Sequence, residues 1–597
     1  MIERKDVPAS DTWNYQALYS NEAEWEAAFK ALEAKSDTIS SYKGRLGESA
    51  DTLAEAFDLH YGQHRELDKI YTYTKLLSDV DISNSENLGR VQRATNLASK
   101  LSAASSFLRP ELFEIPVDTL KQFMNAPKLA PYRHTLEALI RHRPHTLSND
   151  EERLLVMAAQ ALSSPDKIYT QLANADMQFG TVQAGGKEHI LTHGSYGVLI
   201  KNQDRAVRKD TQTKYYAQYE QFKNSTAAAL TGSYQKDVFY TRARKFDSCL
   251  ERGLFDDNIP TEVYTNLVDT ISKNLDSLHR YYSVRKRLLG LEDQRLYDTY
   301  VPLVAEVDLT INYEEAVDYM CDALAPLGEE YTNILRRGLL DERWVDRYEN
   351  KGKRSGAYSG GCYDSYPYIL VSYKQDDIRS MFTLAHEAGH SMHSYYAHRA
   401  QPYHYSAYSI FVAEVASTFN EALLSAHLQE KFKDDKSVLI YLINQQIDDI
   451  KATMHRQTMF AEFELEAHKV IEQDLPLTVD VFSSIYEKLL TKYFGSSVII
   501  EGNDRLEYSR IPHFYWSFYV YKYATGISAA IALADRVCSG GTAEREDYLN
   551  FLRAGSSQYP LEILKDAGVD MASPEPVEKT CQLFSQLVDK LETLIDA

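Results

Sequence analysis

The 597-residue sequence contains no run of the ~18 apolar residues that a membrane helix needs. A helical membrane span is therefore not expected. The opening, "MIERKDVPASDTWNYQ", carries charges with no apolar core behind them and does not read as a secretory leader. Cysteine is scarce. The five, Cys249, Cys321, Cys362, Cys538 and Cys581, are scattered, odd in number and never spaced Cys-x-x-Cys. That argues against a disulfide framework and for reduced packing thiols in a cytoplasm. Positive charge is in deficit, with 65 Lys and Arg against 86 Asp and Glu and a net charge of −21. Such a surface repels phosphate backbones and anionic lipid, so neither nucleic acid nor a membrane is an expected partner. Internal repeats and low-complexity runs are missing, and strand signals are few.

What is present is helix. Apolar residues make up 44% and charged residues 25% of the chain, a normal globular balance. The segments "WEAAFKALEAK", "LAEAFDLHYGQHRELDKIYTYTKLLSDV" and "NLGRVQRATNLASKLSAASSFL" repeat apolar residues every three or four positions, the period of an amphipathic helix. Ser148, with Glu151 three residues on, reads as a capping box. Met177 to Ile200, with Gly185-Gly186 between two β-leaning runs, reads as a hairpin, and Tyr366 to Lys374 as a second strand. A soft boundary is expected near residue 200. It divides an N-terminal helical lobe (1–200, ending in the hairpin) from a catalytic region (201–597), and segments are free to interleave. The 43 tyrosines suit helix cores and rims, and also a peptide-binding channel.

One helix carries chemistry. In "MFTLAHEAGHSMHSYY" (381–396), Asp376 and Asp377 stand at the positive end, and Ile378, Met381, Phe382, Ala385 and Met392 form an apolar face. Residues four apart differ by only ~40° around a helix. His386 and His390 therefore point the same way, and Glu387 is offset by about a quarter turn. This is the His-Glu-x-x-His pattern of a zinc site. A metzincin would need glycine at 393 and histidine at 396. The chain has His393 and Tyr396, which excludes that class.

Zinc needs a third ligand and an open position for water. Glu414, in the second apolar helix "SIFVAEVASTFNEALLSAH", supplies the ligand. A carboxylate on so apolar a helix is costly without a cation. Glu421, two turns along, is placed to hydrogen-bond the outer nitrogen of a ligand histidine. His393 is read as support or packing, and His398 and His404 as surface residues in the intervening turn. Zinc held by two imidazoles and a carboxylate acidifies a bound water and polarises a carbonyl, with Glu387 as general base. The reaction class is hydrolysis, most naturally of an amide.

Two further stretches border this helix in importance. "IPHFYWSFYVYKYATG" (511–526) offers His513, Tyr515, Tyr519, Tyr521 and Tyr523 as neutral oxyanion donors. Phe514, Phe518 and Tyr521 also fit the stripe of an ordinary core helix. "GKRSGAYSGGCYDSYPYILVSYK" (352–374) has Gly352, Gly356, Gly360 and Gly361, which suit a mobile loop or a simple connector. The strand behind it could pair with an extended peptide by edge addition.

These motifs resemble oligoendopeptidase F, in the thimet oligopeptidase-like (M3) zinc peptidases. "HEAGHSMH", "FVAEVASTFNEALL", "GKRSGAYSGG" and "PHFYWSFYVYKYATG" carry the likeness, and "VPASDTWNYQALYSNEAEWEAAF" and "GSSQYPLEILKDAGVDM" extend it to nearly the whole chain. The resemblance implies a mainly α fold, with two helical lobes around a deep substrate channel and a small β element beside one zinc ion. The implied substrates are short unstructured peptides cut internally, and the oligomeric state stays open. The resemblance matches His386, His390 and Glu414 to the zinc ligands, Glu387 to the general base and Glu421 to a following acid. It implies a tyrosine and a histidine at the oxyanion, best matched by Tyr521 and His513, with Tyr515 and Tyr519 as rivals. It also matches Gly356, Gly360 and Gly361 to a substrate-binding loop. An exopeptidase would need a charged group to hold a free terminus, and none stands out. A non-enzymatic helical scaffold would bind no stoichiometric zinc.

Overall fold

The amphipathic segments fold as helices, joined by short turns. The structure is a computed structural model and describes residues 2–304, 307 and 309–596. In chain order, the chain runs through helix α1 (Ala50–Asp79), strands β1 (Thr181–Ala184) and β2 (Lys187–Ile190), and helix α2 (Arg205–Ala243). Three short strands follow, β3 (Val345–Asp346), β4 (Tyr358–Gly360) and β5 (Tyr368–Leu370). Then come helices α3 (Ile378–Ala400), α4 (Ile410–Lys431), α5 (Arg456–Glu472) and α6 (Tyr521–Ser539), with further helices between these elements. The fold is mainly α with small β elements, as the sequence implies.

The chain forms two compact units. One comprises Met1–Pro144, Asp308–Leu428 and Leu533–Val569; the other His145–Val307, Gln429–Ala532 and Asp570–Ala597. Residue 200, the expected boundary, lies inside the second unit. The reason is visible in the first unit's core. Trp13, Trp25, Tyr73 and Leu97 of the N-terminal helices pack in one cluster with Tyr368 and Leu370 of β5. Sequence-distant segments close one core, so no single cut separates the units.

In the second unit the expected hairpin is present. β1 pairs antiparallel with β2, and Gly185 and Gly186 both have positive φ, 58° and 74°, as a two-residue turn of this hand requires. Val182 and Ala184 of β1 pack on Tyr215, Tyr216 and Tyr219 of α2. The Ser148–Glu151 capping box also forms, and "YGVL", read as part of the hairpin, belongs instead to a short helix, His193–Leu199.

The second sheet, in the first unit, corrects one expectation. Its order is β3-β5-β4. β5, the strand read from the sequence, is central, parallel to β3 and antiparallel to β4. Both its edges are already paired, so it has none to offer a peptide. The outer strands are β3 and β4, and β4 lies inside the glycine-rich stretch.

Candidate active site

Helix α3 begins at Asp377, whose carboxylate accepts from the Arg379 N–H. Ile378, Met381, Phe382, Ala385 and Met392 are buried, which leaves His386 and His390 together on another face, ring centroids 4.9 Å apart. Helix α4 crosses this face with the two backbones in contact. A Cβ on Gly389 would lie 2.5 Å from the Ala416 carbonyl oxygen and 2.6 Å from Cα of Ser417. Only glycine permits that approach. Asn420 Nδ2 donates to the Ala385 carbonyl at 3.1 Å and ties the helices at the same level.

The approach brings Glu414 to both histidines. Nε2 of His386 and Nε2 of His390 lie 3.3 and 3.6 Å from the same Glu414 oxygen. Two ligand atoms held tetrahedrally around zinc at ordinary bond lengths are about 3.3–3.6 Å apart. Nδ1 of His386 faces Glu421 at 3.2 Å. With Nδ1 donating there, a neutral His386 presents its Nε2 lone pair to a carboxylate, a repulsion that either a proton or a metal ion between the two relieves. The donor set of two imidazoles and a carboxylate, with an acid behind one imidazole, fits zinc. Among the described residues, His386, His390 and Glu414 form the one group of three or more such side chains that could hold a metal ion.

Electrostatics follow the same geometry. Burial would lower the His386 pKa, but its hydrogen bonds with Glu414 and Glu421 outweigh this and lift it to about 10. Burial and the neighbouring His386 push His390 down to about 4. The Glu414 carboxyl is held below its usual range, chiefly by its hydrogen bond with His386, and Ser417 Oγ also donates to it at 3.2 Å. Glu387 is 8% exposed. Burial lifts its carboxyl to about 7; the positive charge of His386 and the Ser359 main-chain N–H oppose that rise. β4 thus meets α3 beside this acid, and Ser359 Oγ bonds Ser391 Oγ at 2.8 Å.

Several expected residues have other roles. His393, expected as support or packing, is packed. Its ring stacks on Tyr408 at 3.7 Å, and its Nδ1 has no hydrogen-bond partner among the described residues. His398 lies within α3 rather than in the turn, while His404 does lie in the connection to α4. The glycine stretch is anchored rather than loose. The Lys353 side chain is buried, pairs with Asp346 at 2.8 Å and donates to the Tyr348 and Val371 carbonyls at 2.7 Å. Gly360 is part of β4, and a Cβ on Gly361 would lie 2.7 Å from the Tyr366 carbonyl oxygen. Only Gly356, at φ +89°, sits in open space at the tip.

The aromatic segment lies in the second unit. Tyr521, the expected oxyanion donor, is fully buried against Tyr264, ring centroids 5.1 Å apart. Tyr515 is buried too, stacked on Tyr169 at 4.6 Å. Both are packed among aromatic side chains in this structure, which for Tyr521 is the core-stripe alternative. The more exposed members are His513, Trp516, Tyr519 and Tyr523. His513 stacks on Tyr519 at 6.1 Å, and Tyr523 meets both, at 6.0 Å from His513 and 5.5 Å from Tyr519.

The sequence pattern of peptidase family M3 matches residues 198–583, and that of oligopeptidase F residues 111–179. The chain belongs to peptidase family M3. This M3 peptidase is 44% identical over 595 residues to oligopeptidase PepF of Bacillus subtilis (strain 168), covering 99% of this chain and 88% of that one. The structure of a Chlamydophila abortus protein matches it with a TM-score of 0.95 at 36% identity, over 99% of this chain and 100% of that chain. That of oligoendopeptidase-F from Enterococcus faecium matches with a TM-score of 0.74 at 34% identity, over 96% and 99%. The M3 peptidase is therefore an oligopeptidase of the metallopeptidase class, with a His-His-Glu group suited to a metal.

Sequence reasoning missed three contributors. Gly389, Ser417 and Asn420 shape the ligand group. Ser417 could have been found as the hydroxyl one turn after Glu414.

Proposed function

We propose that the chain is a zinc-dependent endopeptidase that hydrolyses internal bonds of short, unstructured peptides, with Glu387 as general base. One observation carries the reading: ligand atoms of His386, His390 and Glu414 lie within 4.8 Å of one another, beside a buried glutamate on the same helix. Zinc held there would act as a Lewis acid toward a scissile carbonyl and would acidify water. Glu387 takes a proton from the attacking water and returns it to the leaving nitrogen. Glu421 fixes the orientation of His386, and Ser417 that of Glu414. The outer strand β4, rather than the central β5, aligns an extended peptide by strand addition. His513, Tyr519 and Tyr523 supply neutral donors to the developing oxyanion. The names of the relatives, oligopeptidase and oligoendopeptidase, support short substrates and internal cleavage. No helix among the described residues is long and apolar enough to cross a membrane.

The test is Glu387→Gln. It should bind one zinc per chain by elemental analysis, yet cleave a mixed peptide library at least about 10³-fold more slowly, as the loss of a general base predicts. End-blocked peptides should be cut by the native enzyme, and a chelator should stop the reaction. Wild-type turnover by Glu387→Gln, or after complete chelation, defeats the reading. Failure on end-blocked peptides alone would turn it into an exopeptidase.

A further inference from the structure

The segment bearing His513, Tyr519 and Tyr523 is not a continuous helix. Pro512–Tyr515 is a short 3-10 turn, and α6 starts only at Tyr521. Between them Phe518 takes φ +51°, a region that a bulky side chain seldom enters. Something must hold it there. Its N–H donates to Glu464 Oε1 at 2.6 Å inside the protein, and Glu464, on α5, is fully buried. The Phe518 ring lies 4.6 Å from that of His468, also on α5, and 5.6 Å from that of Tyr264. Room for it exists because residue 253 is glycine: a Cβ there would lie 2.8 Å from Phe518 Cδ2. The flanks are tied as well. Arg510 pairs with Glu507 at 2.7 Å, and Lys522 with Asp257 at 2.7 Å.

The mechanism above uses none of these groups, and a buried carboxyl is a costly way to satisfy one backbone N–H. Burial drives the Glu464 pKa upward, with Asp237 adding to the effect. That direction favours the uncharged carboxyl, and its Oε1 is an acceptor of fixed geometry. We propose that Glu464 is a positioning residue: by gripping the Phe518 N–H it locks the Trp516–Val520 turn and so fixes the placement of His513 and Tyr519. The inference rests on the proposed role of that aromatic cluster. Distortions of about 1 Å in such a constellation can cost 10²-fold in rate.

The experiment compares Glu464→Leu with Glu464→Gln in the zinc-loaded, full-length enzyme. Leu removes the acceptor; Gln keeps a carbonyl oxygen in the same place and mimics the neutral acid. A second readout is built in. Of the four tryptophans, Trp13, Trp25 and Trp344 are fully buried while Trp516 is 50% exposed, so acrylamide quenching and the anisotropy of the quenchable fraction report on this turn. Glu464→Leu should lower kcat about 10²-fold, with less change in KM, and lower the Trp516 anisotropy. Glu464→Gln should recover both to within about threefold. Gly253→Ala, which presses on Phe518 from the other side, should reproduce the loss, and it serves as the test if Glu464→Leu does not fold. Tyr519→Phe is the control on the underlying reading. If Tyr519→Phe loses activity but folded Glu464→Leu and Gly253→Ala keep wild-type kcat and anisotropy, the positioning role is wrong. If Tyr519→Phe and His513→Gln are fully active, the role of the cluster fails instead, and with it the premise for Glu464.

Discussion

Glu421 approaches His386 from the side opposite Glu414, so the imidazole is gripped between two carboxylates. Removing the outer partner should loosen the ring and lower its basicity. Glu421→Ala is expected to weaken metal affinity about 10–100-fold, read by competition with a chelator of known affinity, while the far-UV spectrum stays native. Unchanged affinity would show that the 3.2 Å contact is incidental. At this scale the sequence was informative where geometry is local. An i, i+4 pair of histidines on a helix shares a face whatever surrounds it, and Glu414 was legible as an acid on an apolar helix. The aromatic segment was not. Reading Phe514, Phe518 and Tyr521 as one helical stripe assumes continuous helix, and the left-handed Phe518 breaks that phase. The three are buried all the same, as a core stripe expects; it was the resemblance that put Tyr521 ahead of the less buried Tyr519 and Tyr523.

At the scale of elements, the ligand group exists because α3 and α4 touch backbone to backbone at Gly389. A methyl group there has nowhere to go, since the nearest atoms are main chain. Gly389→Ala should force the helices apart, cost roughly 1–3 kcal/mol of stability as overpacking does, and release most of the metal. Thermal unfolding and metal content measured on the same sample check both parts. A variant with a wild-type Tm and full metal would mean that α4 can shift without moving Glu414. Helices, the Gly-Gly hairpin and the capping box were legible because their signals sit within a few residues. The order of the three-stranded sheet was not, because strands of two or three residues carry little pattern and their pairing is decided by distant segments. That is why β5 was taken for an edge when β4 is one.

At the scale of the whole molecule, acid sensitivity should be concentrated in the second unit. Glu507 is fully buried and accepts from Arg456, Arg510 and Tyr486. Burial alone would raise its pKa; the two guanidinium groups overcome that and hold it down at about 2, against an ordinary 4.5. A depressed carboxyl pKa contributes stability that is complete above the unfolded value and lost as pH falls toward the folded one. The urea midpoint of the wild type should therefore drop between about pH 4.5 and pH 2, and Glu507→Gln should flatten that part of the profile. The variant should also lose roughly 3–5 kcal/mol at neutral pH, because two arginines are left without their buried counter-charge. An identical slope in both proteins would remove Glu507 as the cause.

The interleaving of the two units carries a consequence for biosynthesis. The first unit is completed by Leu533–Val569 and the second by Asp570–Ala597, where helix Glu575–Asp596 packs on Asp276–Leu288 and Lys436–Ile450. Neither unit is complete while the ribosome still holds those residues. In the first unit, Trp13 and Trp25 also wait for Tyr368 and Leu370, which at about 5–20 residues per second takes roughly 20 s or longer. A tandem arrangement would bury its first domain much earlier.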